Sequence, residues 1–163
     1  NFQNFIKAYS VSRYLTKKYK IICFGGGSFN NIEINTFKKL GIKKNIIYKK
    51  GSDLELKNLY KKASLHVSLS TYEGFGLTLL EAMQFKCPVV CSNIPVFREV
   101  YNNSCIFVDP RNINTIKKGI EKVLKSNRIK KKIISNGSLL AKKFSWEKCA
   151  SETSLVYKNI VNR

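Results

Sequence analysis

Short apolar segments alternating with amphipathic helical patterns predict an α/β fold, a parallel sheet covered by helices on both faces with a helical C-terminal tail. Two observations carry this reading. The apolar runs are continuous instead of alternating, as strands buried on both faces require. The last third of the chain carries helical stripes and no strand-like run.

The elements follow in order. Phe2, Phe5, Ile6 and Tyr9 fall at helical spacing and predict a helix over 2–18. Lys20-Ile21-Ile22-Cys23-Phe24 reads as a strand stopped by Gly25-Gly26-Gly27, and a short helix around 31–40 precedes a strand at Asn45-Ile46-Ile47-Tyr48. Asp53 reads as the N-cap of a helix reaching about residue 62. Leu65 to Leu69 is the next strand, feeding a glycine-flanked turn and an apolar helix that runs to Phe85. Pro88-Val89-Val90-Cys91 is a buried strand, Pro95 starts a short helix, and Ser104 to Val108 is the last strand, ended by Asp109-Pro110. Ile113, Ile116, Ile120, Val123 and Leu124 form one helical stripe, and Ile129, Ile133, Ile134 and Leu140 a second. Ser145 caps a third helix carrying Trp146, Cys149, Ala150, Thr153, Tyr157, Ile160 and Val161.

Composition narrows the class. With 163 residues, 44% hydrophobic and 25% charged, the chain sits in the single-domain globular range. No run of about 18 apolar residues exists to form a transmembrane helix. Residue 1 falls inside a helical pattern, without an initiator Met or a signal peptide, so the chain reads as part of something longer. Its five cysteines are an odd number with no metal-site spacing, and the single histidine, His66, has no ligand-spaced partner. Buried free thiols in a reducing compartment are the reading, hence a cytoplasmic protein and no metal. The net charge of +20 is spread over lysine pairs on polar helix positions and turns, which describes a solvated surface with some attraction to anionic lipid. A nucleic-acid-binding or membrane-surface module without catalysis is the alternative that this charge keeps open. A phospho-acceptor module would need clustered aspartates, and the only two are Asp53 and Asp109, far apart in sequence.

The chemistry concentrates in Ser70-Thr71-Tyr72-Glu73-Gly74-Phe75-Gly76-Leu77-Thr78-Leu79-Leu80-Glu81-Ala82-Met83. A helix opened by glycines presents unpaired N–H groups and a positive dipole end, a place for an anion such as a diphosphate. Glu73 and Glu81 stand on either side of it, and carboxylates there accept from hydroxyls. If the span were fully helical they would lie roughly 12 Å apart, enough for a hexose at one end and a ribose at the other. Glu81 sits in a helix that is apolar nearly all round, where a carboxylate needs a partner or a ligand. Two other loops reach the same carboxyl edge of the sheet, where open α/β folds bind ligands. One is Gly25-Gly26-Gly27-Ser28, which has Asn30 where a dinucleotide fingerprint needs glycine, so NAD is not expected. The other is Ser92 to Glu99, whose Arg98 and Glu99 read equally well as surface charges.

The run from Ser70 to Met83, with Cys87-Pro88-Val89-Val90, Ser92-Asn93-Ile94-Pro95, Glu99-Val100, Val108-Asp109-Pro110 and Phe144-Ser145-Trp146-Glu147, resembles the C-terminal domain of family 4 (group 1) glycosyltransferases. These are retaining, two-domain GT-B enzymes whose donor domain is Rossmann-like. The resemblance covers essentially the whole chain in order, and the pair of glutamates with Gly-Phe-Gly-Leu between them is specific.

The resemblance implies a function and a set of roles. The function is transfer of a hexose from a nucleotide-diphosphate sugar, with retention, to a glycan or a lipid-linked glycan in polysaccharide assembly. Glu73 and the amides of Gly74, Phe75 and Gly76 would hold the donor sugar, with Glu73 the residue on which turnover depends. The amides of Leu77 and Thr78 would receive the diphosphate, and Glu81 the ribose hydroxyls. The loop at Lys50, Gly51 and Ser52 would border the base. Neither a metal nor another cofactor is implied, since helix dipole and basic side chains replace the ion. The implied location is cytoplasmic, extending to peripheral contact with the inner face of an anionic membrane; nucleic acid is not an implied partner.

It also implies a division. Residues 1–144 would be the donor-binding domain, truncated at its start, and 145–163 a helix crossing back to an N-terminal domain that binds the acceptor. The family's first, central strand and its diphosphate-binding Arg and Lys would precede Asn1, leaving the fragment inactive alone. Strands 20–24 and 65–69 should then either flank a gap or pair directly.

Overall fold

The computed structural model describes residues 1–161. The chain opens with α1 (Phe2–Ser10) and α2 (Arg13–Lys18), so the single helix expected over 2–18 is two. The break comes at Ser12, whose extended backbone lets its hydroxyl accept from the Leu15 N–H at 3.2 Å and cap α2. The same hydroxyl donates to Glu121 Oε1 at 2.6 Å, a bond across 109 residues. Helical periodicity continues through the break, and the tertiary contact decides it.

There follow β1 (Ile21–Phe24), α3 (Asn31–Lys39), β2 (Ile46–Lys49), α4 (Asp53–Lys62), β3 (His66–Ser68), α5 (Leu77–Gln84), β4 (Val89–Ser92), α6 (Pro95–Tyr101), β5 (Ile106–Val108), α7 (Ile113–Lys125), α8 (Asn127–Ala141) and α9 (Trp146–Val161). Ser52, one residue earlier than expected, is the cap of α4, and Asp53 is its first helical residue. Ser52 and Glu55 close a reciprocal capping box there.

All strand pairs are parallel. β1 pairs with β2, Ile21 opposite Ile46, and β3-β4-β5 form a second sheet with His66 opposite Val89 and Val90 opposite Ile106. Between β1 and β3 runs an open slot of about 590 Å³, walled by Ile21, Ile22 and Phe24 on one side and Leu65, His66 and Val67 on the other. Of the two arrangements expected for these strands, the fold adopts the flanked gap.

Every residue of β4 is buried, and its side chains alternate between two apolar layers. Val90 joins Ile6, Leu15, Ile116, Ile120 and Val123 from α1, α2 and α7. Val89 and Cys91 join Leu79, Met83, Phe97 and Tyr101 from α5 and α6. Helices thus cover both faces, which places the α5 N-terminus at the carboxyl edge of the three-stranded sheet. The Asn1 and Asn4 side-chain amides donate to the Pro110 carbonyl at 2.6 and 3.1 Å, tying α1 to the loop after β5.

Ser145 caps α9 as expected, its hydroxyl accepting from the Lys148 N–H at 3.1 Å. None of the residues of α9 is buried, and Trp146, Leu155, Tyr157 and Ile160 lie exposed on it. Of the cysteines, Cys87, Cys91 and Cys105 are buried thiols, Cys23 is partly buried and Cys149 is exposed on α9. No described helix is long and apolar enough to cross a membrane.

Candidate functional site

The turn between β3 and α5 is built on glycine geometry. Residues 73–76 are not helical, so Glu73 and Glu81 are not spaced along one helix. Gly76 takes a left-handed conformation (φ 88°, ψ 53°) as the residue before α5. A Cβ there would lie 2.5 Å from Phe97 Cε1, so both backbone angle and space require glycine. The first paired N–H of α5 is that of Leu79, which donates to the Gly76 carbonyl at 2.9 Å. The N–H groups of Leu77 and Thr78 precede it and have no protein partner among the described residues. Both residues are exposed. Two free donors at the positive end of a helix form an anion-facing surface.

An aromatic pedestal supports this turn. Phe97 and Tyr101, four apart on α6, are fully buried and pack at 5.8 Å. The Tyr101 hydroxyl donates to the Gly76 carbonyl at 2.8 Å, the same oxygen that receives the Leu79 N–H. Phe75 packs on Tyr101 at 6.1 Å and on Phe144 at 5.4 Å. Burial, with Cys91, Cys105 and Glu73 adding, raises the Tyr101 hydroxyl well above the usual phenol range, so it remains a donor. These contacts escaped the sequence reading, although the i, i+4 spacing of Phe97 and Tyr101 was a signal for them.

Glu81 has a protein partner that was also missed. Its Oε2 accepts from the Tyr60 hydroxyl of α4 at 3.2 Å. Tyr60 is buried, and burial together with the Glu81 charge raises its hydroxyl above the usual range. The partner that an acid in an apolar helix demands is therefore partly supplied from inside. Gly51 and Ser52 lie at the opposite end of the same α4, both exposed. α4 thus connects the loop at 51–52 to Glu81.

Glu73 and Phe75 are half-buried in the turn, and Gly74 is exposed. Thr78 lines the slot between the sheets, and a second concavity of about 240 Å³ opens at the end of β3, lined by Phe2, Phe5 and Val67 to Ser70. Gly25 and Gly26 take positive φ (80° and 65°) at the end of β1, and the Tyr48 hydroxyl donates to the Gly26 carbonyl at 3.1 Å. Arg98 and Glu99 are exposed on α6. Among the described residues no three His, Cys, Asp or Glu side chains cluster as a metal-holding set.

Residues 1–139, which include the turn and both glutamates, match the family of glycosyl transferases, group 1. The chain belongs to this family. Among similar proteins is the O-antigen chain mannosyltransferase B of Escherichia coli, 39% identical over 106 residues, or 65% of this chain and 28% of the relative. A glycosyltransferase of Methanocaldococcus jannaschii is 32% identical over 143 residues, 85% of this chain and 37% of the relative. The chain therefore spans about a third of the length of these relatives. In fold it resembles the Anabaena protein HepE, solved in complex with UDP, at a TM-score of 0.83 and 17% identity over 96% of this chain and 44% of the other. The α/β architecture is that of the GT-B glycosyltransferases.

Proposed function

We propose that this chain is the donor-binding half of a retaining hexosyltransferase that uses a nucleotide-diphosphate sugar. The observation that carries the reading is the left-handed turn at Gly76, which leaves the Leu77 and Thr78 amides free at the positive end of α5, between Glu73 and Glu81. The amides and helix dipole receive the diphosphate and stabilise the charge that grows on its oxygen as the bond to the sugar breaks. Glu73, with the amides of Gly74, Phe75 and Gly76, holds the sugar hydroxyls and fixes the orientation of the anomeric carbon. Glu81 accepts from the ribose, and Gly51 and Ser52 border the base.

We assign no role to a metal, since the free amides and the helix dipole of α5 face the diphosphate. The acceptor, a glycan or lipid-linked glycan, is bound by an N-terminal domain in the complete protein, which α9 joins through its exposed apolar face. The relationship to an O-antigen mannosyltransferase supports a hexose donor and a polysaccharide pathway, and the UDP complex of HepE supports a nucleotide ligand. We assign the complete enzyme to the cytoplasm, and its lysine-rich surface supports peripheral contact with an anionic inner leaflet.

The test is kinetic, on the complete protein with a panel of nucleotide sugars. Glu73→Gln should lower turnover by about 100-fold. Glu81→Gln should mainly weaken nucleotide affinity, by about tenfold. Kinetics like those of the wild type for both variants would remove the motif from the site.

A further inference from the structure

Glu81 is the one charged side chain among Leu79, Leu80, Ala82 and Met83, all of which are buried, so the helix itself gives its carboxylate little to hold. Its described hydrogen bond comes from Tyr60, at 3.2 Å. The Tyr60 ring is fixed in turn, stacked on Phe85 at 6.2 Å with 16° between planes and meeting His66 edge-on at 5.6 Å. A ring packed against two others is restrained, and with it the direction of its hydroxyl. The carboxylate that accepts from it loses rotational freedom before any ligand arrives.

We infer that Tyr60 is a positioning residue for nucleoside recognition: it occupies one oxygen of Glu81 and presents the other to the vicinal hydroxyls of a ribose. The inference rests on the ribose role proposed above for Glu81. It adds a link between two parts of the site. Ser52 caps the start of α4 and Tyr60 lies eight residues along it, about 12 Å of helix rise. One rigid element therefore carries both the loop that borders the base and the hydroxyl that aims the ribose acceptor. A nucleoside is read against a fixed spacing, and a shift of α4 weakens base and ribose contacts together.

The experiment titrates the complete protein with UDP, GDP and ADP, then repeats the titration with the 2′-deoxy and 3′-deoxy analogues of whichever binds. Tyr60→Phe keeps the ring and removes the hydroxyl. It should weaken the nucleotide about five- to tenfold, raise KM for the donor by the same factor and leave kcat within about twofold. The preference for the ribonucleotide over its deoxy analogues should shrink in the same variant, a change that a loss of packing alone does not produce. In a Glu81→Gln background Tyr60→Phe should add less than about twofold, since its effect runs through that carboxylate. Unchanged affinity in Tyr60→Phe, or an equal loss in both backgrounds, overturns the positioning role and leaves the role of Glu81 intact. Unchanged affinity in Glu81→Gln overturns the ribose role, and the inference with it.

Discussion

The two sheets of this molecule are built from similar strands and end in different states. In β3-β4-β5 the central strand is buried along its whole length, with helices on both faces. In β1-β2 only Ile21 is buried, and Ile22 is 45% exposed. The difference lies at one edge. β1 and β3 turn their free sides toward each other across a slot and bond only to their outer neighbours. The α5–α6 side of the three-stranded sheet holds an apolar layer to which β1 and β2 contribute nothing, and that side carries the glycine turn, its aromatic pedestal and both glutamates. The two-stranded sheet has no such layer of its own, and Ile21, with Phe37 and Ile42, is buried only in the layer shared with α1, α2, α7 and Val90. The anion-facing turn therefore rests on the self-sufficient side.

The largest effect that tests this contrast is a pair of truncations. Phe97 is fully buried beneath Gly76, so Phe97→Ala should cost about 3–5 kcal/mol and loosen the turn as well. Ile22→Ala, on the slot wall, should cost less than about 1 kcal/mol. Urea unfolding midpoints compare the two directly. Similar losses would mean that both sheets share one core equally and that the contrast is wrong.

A smaller effect comes from acid. His66 stands on β3 at the slot wall with its Nε2 sealed from solvent and without a hydrogen-bond partner among the described residues. Burial lowers its pKa to about 4 from an ordinary 6.5. Above pH 6.5 the imidazole is neutral in folded and unfolded chains, and the group costs nothing. As pH falls from 6.5 toward 4 the unfolded chain takes up a proton that the folded chain refuses, so stability drops. Between pH 7 and pH 5 the loss is about 2 kcal/mol. His66→Leu should flatten that part of the profile by this amount relative to wild type. Parallel profiles for the two proteins would show that the slot wall is wet enough to hydrate the charged ring.

What could be read from the sequence divides along the same physical line. Continuous apolar runs marked all five strands, because burial on both faces writes itself into local composition. The glycine turn was legible because positive φ and close approach demand a residue type. The break at Ser12, the bond from Tyr101 to the Gly76 carbonyl and the Tyr60–Glu81 bond were not. Ser12 is fixed by Glu121, 109 residues away, and Tyr60 meets Glu81 across 21. Such contacts pair ordinary residue types, and only the folded topology brings them together. Glu81 was visible as an acid needing a partner; which partner was not.

The finest test reads the slot one amide at a time. In a parallel strand successive N–H groups point to opposite sides. The His66 N–H donates to the Pro88 carbonyl at 2.8 Å, so it faces β4 and the Val67 N–H faces the slot. Likewise the Gly25 N–H donates to the Lys49 carbonyl at 3.1 Å, which directs the Cys23 N–H toward β2 and those of Ile22 and Phe24 toward the slot. Each strand thus holds its own control, with adjacent amides that face opposite partners. Hydrogen exchange followed by NMR should show Val67, Ile22 and Phe24 exchanging at least about tenfold faster than His66 and Cys23. Equal protection on both sides would mean that the free edges are paired in solution. A strand inserted between them, from the same or another chain, would do that, and the alternation would vanish at Val67 and Phe24 together because one inserted strand bonds to both walls.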